Sequence, residues 1–222
     1  TQDWLTFKPK GEVTTTLITQ ENKLRIMLHK RLETWREYNE ISKAGDIARR
    51  AFANNSFDGI LTMVGVVMGN FVVGVKDPKV VLVTGLSTAL AIGVSGGWGA
   101  YLTESAERRH EIDELEHFTL TKLQDTRIGK ASRMAVIFVA AVDGLSPFLS
   151  AALVVLPFIF APLLPTVAYA YYASITMALV ALFALGVYLA LISGEKLVLS
   201  GIKTVIVGIV CIALTYFIER VM

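Results

Sequence analysis

Cysteine is nearly absent. The 222 residues hold one, Cys211, inside an apolar stretch, so no intrachain disulfide can form and cysteine usage leaves the redox compartment open. Histidine is scarce too, with three in the chain, so two of them close together carry weight. Net charge is only +2, and no nucleic-acid partner is expected. The N-terminal region has no short apolar stretch ending in a small-residue cleavage site. A removable signal peptide is therefore not expected, and the first membrane span should act as its own insertion signal.

What the chain has in quantity is apolar length. Hydrophobic residues make up 54% of it and mean hydropathy is +0.56, above the ordinary soluble range. Five apolar stretches, at 51–75, 80–102, 134–161, 166–192 and 198–218, each reach the roughly 20 residues that a spanning helix needs. Lys and Arg collect on cytoplasmic flanks of spanning helices. Here they crowd the segment before the first stretch (Lys23 to Arg50) and the second connection (Arg108, Arg109, Lys122, Arg127, Lys130, Arg133). The first connection has only Lys76 and Lys79, the third none, and the fourth Lys196 and Lys203. The expected fold is all-α, an integral membrane protein with five transmembrane helices, N-terminus in and C-terminus out, plus cytoplasmic amphipathic and charged helices.

Four regions follow: a cytoplasmic extension over 1–50, the first two spans over 51–102, a charged cytoplasmic segment over 103–133, and three spans over 134–222. Residues 1–20 are polar and Thr-rich and read as a loose extension. Leu24, Leu28, Leu32, Trp35 and Tyr38 then recur at near-helical spacing among charged residues. Such a helix either lies on the membrane surface or packs against the second cytoplasmic segment or a partner subunit. The Gly65-x-x-x-Gly69 pair and the cluster Gly93, Gly96, Gly97 and Gly99 fit close helix approach.

A carboxylate stands inside the first apolar stretch, at Asp58. A charge at mid-bilayer costs on the order of 3 kcal/mol on insertion scales, so such residues usually face a protein-lined cavity and mark a cation or proton path. A weak internal echo supplies a second: Phe57-Asp58-Gly59-Ile60 is matched by Val142-Asp143-Gly144-Leu145. Counted from Arg50 and Arg133, both carboxylates lie roughly 12 to 15 Å along their helices. Pro147 has no amide hydrogen, so the carbonyl of Asp143 loses its helical donor and needs another donor or a cation. The alternative is a kink satisfied by water or the Ser146 hydroxyl. Near Asp58, Thr62 offers a hydroxyl and Met63 and Met68 thioethers, which favour softer transition metals when they ligate at all. Asn54 and Asn55 would either help dehydrate an ion at the entrance or cap the helix.

The segment after the second stretch holds Glu104, Glu107, His110, Glu111, Glu114, Glu116 and His117. Glu107, His110, Glu111 and Glu114 fall on one helical face, as do His110, Glu114 and His117. Two Glu-x-x-His units occur, 107–110 and 114–117, the unit that di-iron carboxylate proteins take from each of two helices. Both lie on one helix here, so a complete site would need another helix or subunit. The plainer reading is a solvated helix steadied by pairs such as Glu104 with Arg108.

The run Asp58-Gly59-Ile60-Leu61-Thr62-Met63-Val64-Gly65-Val66-Val67-Met68-Gly69 resembles the first-span motif of the vacuolar iron transporter family, an Asn-Asp-Gly-Leu start followed by spaced glycines. Gly99-Ala100-Tyr101-Leu102-Thr103 occupies the place of that family's second-span Gly-Glu-Tyr-Val-Ser. The resemblance covers most of residues 49–222. It implies a transporter rather than an enzyme, without catalytic residues or a tightly bound cofactor. Its cargo would be Fe2+ and often Mn2+, moved out of the cytosol in exchange for protons by a homodimer in membrane lipid, with the path between subunits. The membrane would be the cell membrane in a prokaryote, and a vacuolar or other storage-organelle membrane in a eukaryote. By resemblance Asp58 is the first-span metal carboxylate, and Glu107, Glu111 and Glu114 are similar to the metal-gathering glutamates of a cytoplasmic helix. The candidate metal residues are thus Asp58, Thr62, Met63, Asp143, Glu104, Glu107, His110, Glu111, Glu114 and His117. Two departures stand out: Ala100 replaces the second-span glutamate, and Phe57 the asparagine before the aspartate. Asp143 or Glu104 would have to stand in for the missing carboxylate. Other readings are a membrane-anchored di-iron oxidase and a non-transporting metal-binding membrane protein.

Overall fold

A computed structural model describes residues 29, 33, 34 and 36–221, with 219 and 220 by backbone alone. The expected N-terminal extension and most of the amphipathic stretch, including Leu24, Leu28, Leu32 and Trp35, lie outside the described residues. Residues 36–42 are helical, and the helix breaks at Lys43, whose φ of 51° is left-handed. Asn39 holds the break from both ends: its carbonyl accepts from the Lys43 amide and its Oδ1 from the Gly45 amide at 2.6 Å.

Five long helices follow: α1 Ala44–Val72, α2 Pro78–Thr119, α3 Arg127–Val155, α4 Val167–Ser193 and α5 Leu197–Val221. No strand occurs among the described residues. The ends are written in the sequence. Gly74 takes a φ of +77° to turn the chain after α1. Asp77 caps α2 by accepting from the Lys79 amide at 2.9 Å, with Pro78 at the first helical position. Pro157 and Pro162 lie in the 3-10 turn Leu156–Leu163 that continues α3, where an α-helix would lose backbone bonds.

Helix α2 differs from expectation in extent. Its 42 residues make one unbroken rod of about 63 Å, twice the roughly 30 Å of bilayer hydrocarbon. The segment expected as a long second connection is therefore a stiff arm, residues 103–119, continuous with the membrane-spanning part. Only 120–126 turn the chain. Glu116 accepts from the Leu123 amide at 2.6 Å, and Gly129 lets the turn fold back so closely that a Cβ there would lie 2.7 Å from the Leu123 carbonyl.

Among the described residues, four helices are long and apolar enough to cross a membrane: α2, α3 with its 3-10 continuation, α4 and α5. Helix α1 is long enough, but Asn55, Asp58 and Asn70 interrupt its apolar stretch. It is also the hub, touching each of the other four helices. Its buried Met63, Val64 and Val67 meet Val81 of α2, Val154 of α3 and Leu182 of α4 in one core. A helix packed by four neighbours can carry half-buried polar groups such as Asn55 and Asn70, whereas Asp58 is exposed. Helix α5 is the opposite case, mostly exposed and free of charged residues from Thr204 to Ile218, as a lipid-facing stretch must be.

Candidate functional site

The two Asp-Gly segments cross. A Cβ on Gly59 would lie 2.5 Å from the carbonyl oxygen of Pro147 and 2.8 Å from its Cα, so α1 and α3 touch backbone to backbone there. Gly144 plays the same part toward α2, where a Cβ would meet the Gly93 carbonyl at 2.8 Å and the Gly97 Cα at 3.1 Å. The glycines of the echoed motif thus pull α1, α3 and α2 into one tight layer. The expectation that the Gly93 cluster serves close packing holds for Gly93, Gly96 and Gly97. Gly99, Gly65 and Gly69 face open space, with nothing within 4 Å of where a Cβ would stand.

Within that layer Asp143 is half-buried and accepts a hydrogen bond from Asn55 Nδ2 at 2.7 Å. Asn55 and Asp143 stand one turn before Gly59 and Pro147 respectively, as two parallel helices in register require. The carbonyl of Asp143, left without a helical donor by Pro147, faces α2: a Cβ on Gly96 would be 3.0 Å from it. The Ser146 hydroxyl does not satisfy it, because that hydroxyl donates to Val142. Glu104 of α2 lies close enough for its charge to act on Asp143. Side chains tilt toward the N-terminus of their own helix, so on antiparallel α2 and α3 the Glu104 and Asp143 carboxylates lean toward one another.

Glu104 is anchored from the other side. Its Oε1 accepts from Arg108 Nε at 2.9 Å, while Arg108 also donates to Glu111 at 3.3 Å and to the Ser42 carbonyl at 2.9 Å. Arg108 is only 9% exposed. The pair that reads from sequence as surface trim is thus a partly enclosed ion pair joining the 36–42 segment to α2. A polar line runs from Asn55 through Asp143 and Glu104 to Arg108, beside Ala100, which is itself buried.

Asp58 is placed differently. It lies about 60° round the α1 axis from Asn55, is exposed, and makes no hydrogen bond or ion pair among the described residues. Thr62, Gly65 and Gly69, each half-buried, fall within about 40° of it round the helix, forming one stripe on which neither glycine meets a neighbouring helix. Met63 does not join that face. It points about 140° away, is fully buried, and packs its sulfur toward Gly85 in the apolar core.

On the arm, Glu107, His110, Glu111, Glu114 and His117 are all exposed. No three His, Cys, Asp or Glu side chains converge on a metal-holding point among the described residues. The arm's acids and histidines therefore form an open row on one helix. Sequence reasoning missed Asn55 as the partner of Asp143 and Arg108 as an enclosed group. Asn55 carried a usable signal, an amide inside an apolar stretch one turn before an aspartate. Arg108 carried none, because its burial depends on the fold-back of residues 36–42.

A sequence profile of the VIT family matches residues 50–139 and 118–220. An uncharacterized protein of Methanocaldococcus jannaschii, MJ0645, is 31% identical over 179 residues, spanning 79% of this chain and 91% of the relative. With its apolar spanning helices, the chain is an integral membrane protein, and it belongs to the vacuolar iron transporter (VIT) family, which points to metal transport.

Proposed function

We propose that the protein moves a divalent transition metal, Fe2+ and also Mn2+, out of the cytosol in exchange for protons. It would act as a homodimer with five spans per subunit, α1 being the fifth, N-terminus in and C-terminus out. The observation that carries this reading is the stripe of exposed Asp58 and half-buried Thr62, Gly65 and Gly69, with open space beside both glycines, on the helix that touches all four others. A carboxylate facing hydrocarbon is costly, whereas one facing a second copy across a stripe of small residues would sit in a protein-lined seam. The seam would hold two copies of Asp58 and Thr62, oxygen ligands suited to Fe2+ and Mn2+.

Glu104, one turn beyond Ala100 on α2, and Asp143, on α3 across from Gly96 one turn before it, supply the acid that Ala100 lacks. Carboxylates serve metal and proton alike, because a ligand must shed its proton to bind the ion. The exposed row from Glu107 to His117 would gather ions at the cytoplasmic mouth. The oxidase alternative lacks support: both Glu-x-x-His units lie on α2, pointing outward with no facing ligand helix among the described residues.

The test is Mn2+ flux into proteoliposomes driven by a pH gradient. Asp58→Ala and Asp143→Ala are expected to abolish it while the protein still folds; undiminished flux in both overturns the proposal.

A further inference from the structure

We infer that the groove between the base of the arm and the start of α3 binds the phosphate of an anionic phospholipid headgroup. The groove is a cavity of about 690 Å³ between α2 and α3, lined by Tyr101, Ser105 and Arg109 on one side and Ser132, Arg133 and Val136 on the other. Its position relative to the bilayer follows from the exposed residues. Val83, Leu90 and Val94 face outward along α2 up to the stacked rings of Trp98 and Tyr101, whose centroids are 5.6 Å apart. Exposed Trp and Tyr collect at the level of the headgroups. Beyond Leu102 the outward-facing surface of α2 turns charged. On α3 the same change falls between Ile137, 67% exposed, and Arg133 one turn before it. The apolar-to-polar boundary thus crosses both walls, with Tyr101, Val136 and Ile137 on the hydrocarbon side and the arginines on the water side.

The charges select the ligand. Arg108 also lines the groove but is committed to Glu104, Glu111 and the Ser42 carbonyl. Arg133 spends one N–H on the Gln124 carbonyl at 2.7 Å, leaving the rest of its fork. Arg109 makes no ion pair among the described residues. Asp113 is the one acid among the lining residues, so Arg108, Arg109 and Arg133 less Asp113 leave two positive charges, and Arg108 is paired with Glu104 and Glu111, which do not line the groove. Arg109 and Arg133, which have no glutamate or aspartate partner among the described residues, are the two left to meet a phosphodiester. Guanidinium forks suit phosphate oxygens, and the Ser105 and Ser132 hydroxyls can serve the glycerol part. A basic pocket between spanning helices beside an apolar wall is the setting in which lipid headgroups are held. The acyl chains would run down past Val136 and Ile137 toward Val94.

The experiment uses the full chain in neutral detergent, titrated with phosphatidylglycerol or phosphatidylcholine, with retained lipid read by native mass spectrometry. Phosphatidylglycerol is expected to be retained in preference. Arg109→Gln and Arg133→Gln should each weaken that retention by about fivefold, the usual share of one basic residue at a lipid surface. Arg109→Lys should keep most of it, and Lys122→Gln, exposed on the turn outside the groove, all of it. Should Arg133→Gln fail to fold, Arg109→Gln alone decides, because Arg109 is exposed and holds nothing else in place. Equal retention of the two lipids, or a phosphatidylglycerol preference untouched by Arg109→Gln, overturns the inference. So does Arg109-dependent binding of inorganic phosphate without retention of phosphatidylglycerol, which would make the site one for a soluble anion. Lipid retention is read without flux, so the result stands whatever ion the protein carries.

Discussion

The Asp-Gly of α1 and the Asp-Gly of α3 share a motif and a level in the fold, yet only half of each does the same thing. Gly59 and Gly144 both exist to let a neighbouring backbone in, Pro147 against the first and Gly93 with Gly97 against the second. The aspartates part company. Asp143 is held by Asn55 and faces Glu104, whereas Asp58 stands one residue before the crossing with no hydrogen bond or ion pair among the described residues. The lesson is that a repeated motif can conserve a packing role while freeing the adjacent carboxylate for a different task. One aspartate is built into the helix packing, and the other is exposed.

That contrast can be broken by mutation. The largest effect is expected at the free carboxylate: Asp58→Asn should cut Mn2+ flux by at least about tenfold, the lower end of what even a supporting group at a metal site is worth. Its Tm should not move, since no intramolecular bond is lost; a Tm drop would place Asp58 among the structural residues. Next comes the shared glycine role. Gly59→Ala forces a Cβ onto the Pro147 backbone and should cost about 1 to 3 kcal/mol, seen as a lower thermal midpoint. Gly65→Ala on the open stripe should leave the isolated subunit's stability unchanged, so equal losses at both positions would erase the distinction. Asn55→Ala strips the donor from Asp143 and should cost about 1 kcal/mol or slightly more. It should also weaken flux less than Asp58→Asn, measured in the same vesicles. The smallest effect belongs to Met63→Leu, a near volume-conserving change in a packed core expected to cost below about 1.5 kcal/mol. It should leave the preference between Fe2+ and Mn2+ where it was; a changed preference would return the thioether to the path.

Much of this architecture can be read from local sequence because the relevant signals are local. The apolar stretches at 134–161, 166–192 and 198–218 foretell α3 with its 3-10 turn, α4 and α5 closely, since glycine and proline punctuate their ends. Helix α1 answers to the stretch at 51–75, but its half-buried Asn55 and Asn70 are tolerated because four helices pack against it, which local sequence does not show. The arm shows the limit of spacing. Glu and His at helical intervals were visible at 107–117, but facing ligands belong to another element, and the described residues bring none. The burial of Arg108 was invisible for the same reason, depending on Ser42, 66 residues away. Asp143 sits between these cases: its place in an apolar stretch is legible, and Asn55 is legible as an amide in another, but their pairing across 88 residues is not.

The central claim is that Asp58 meets a metal ion at a seam between two copies of the chain. Anomalous diffraction from crystals of the full protein soaked in Mn2+ tests it most directly. The account predicts a peak beside Asp58 on an axis shared with the Asp58 of a second copy. Peaks confined to the arm, or none near Asp58 in a soaked crystal that shows Mn2+ elsewhere, would contradict it.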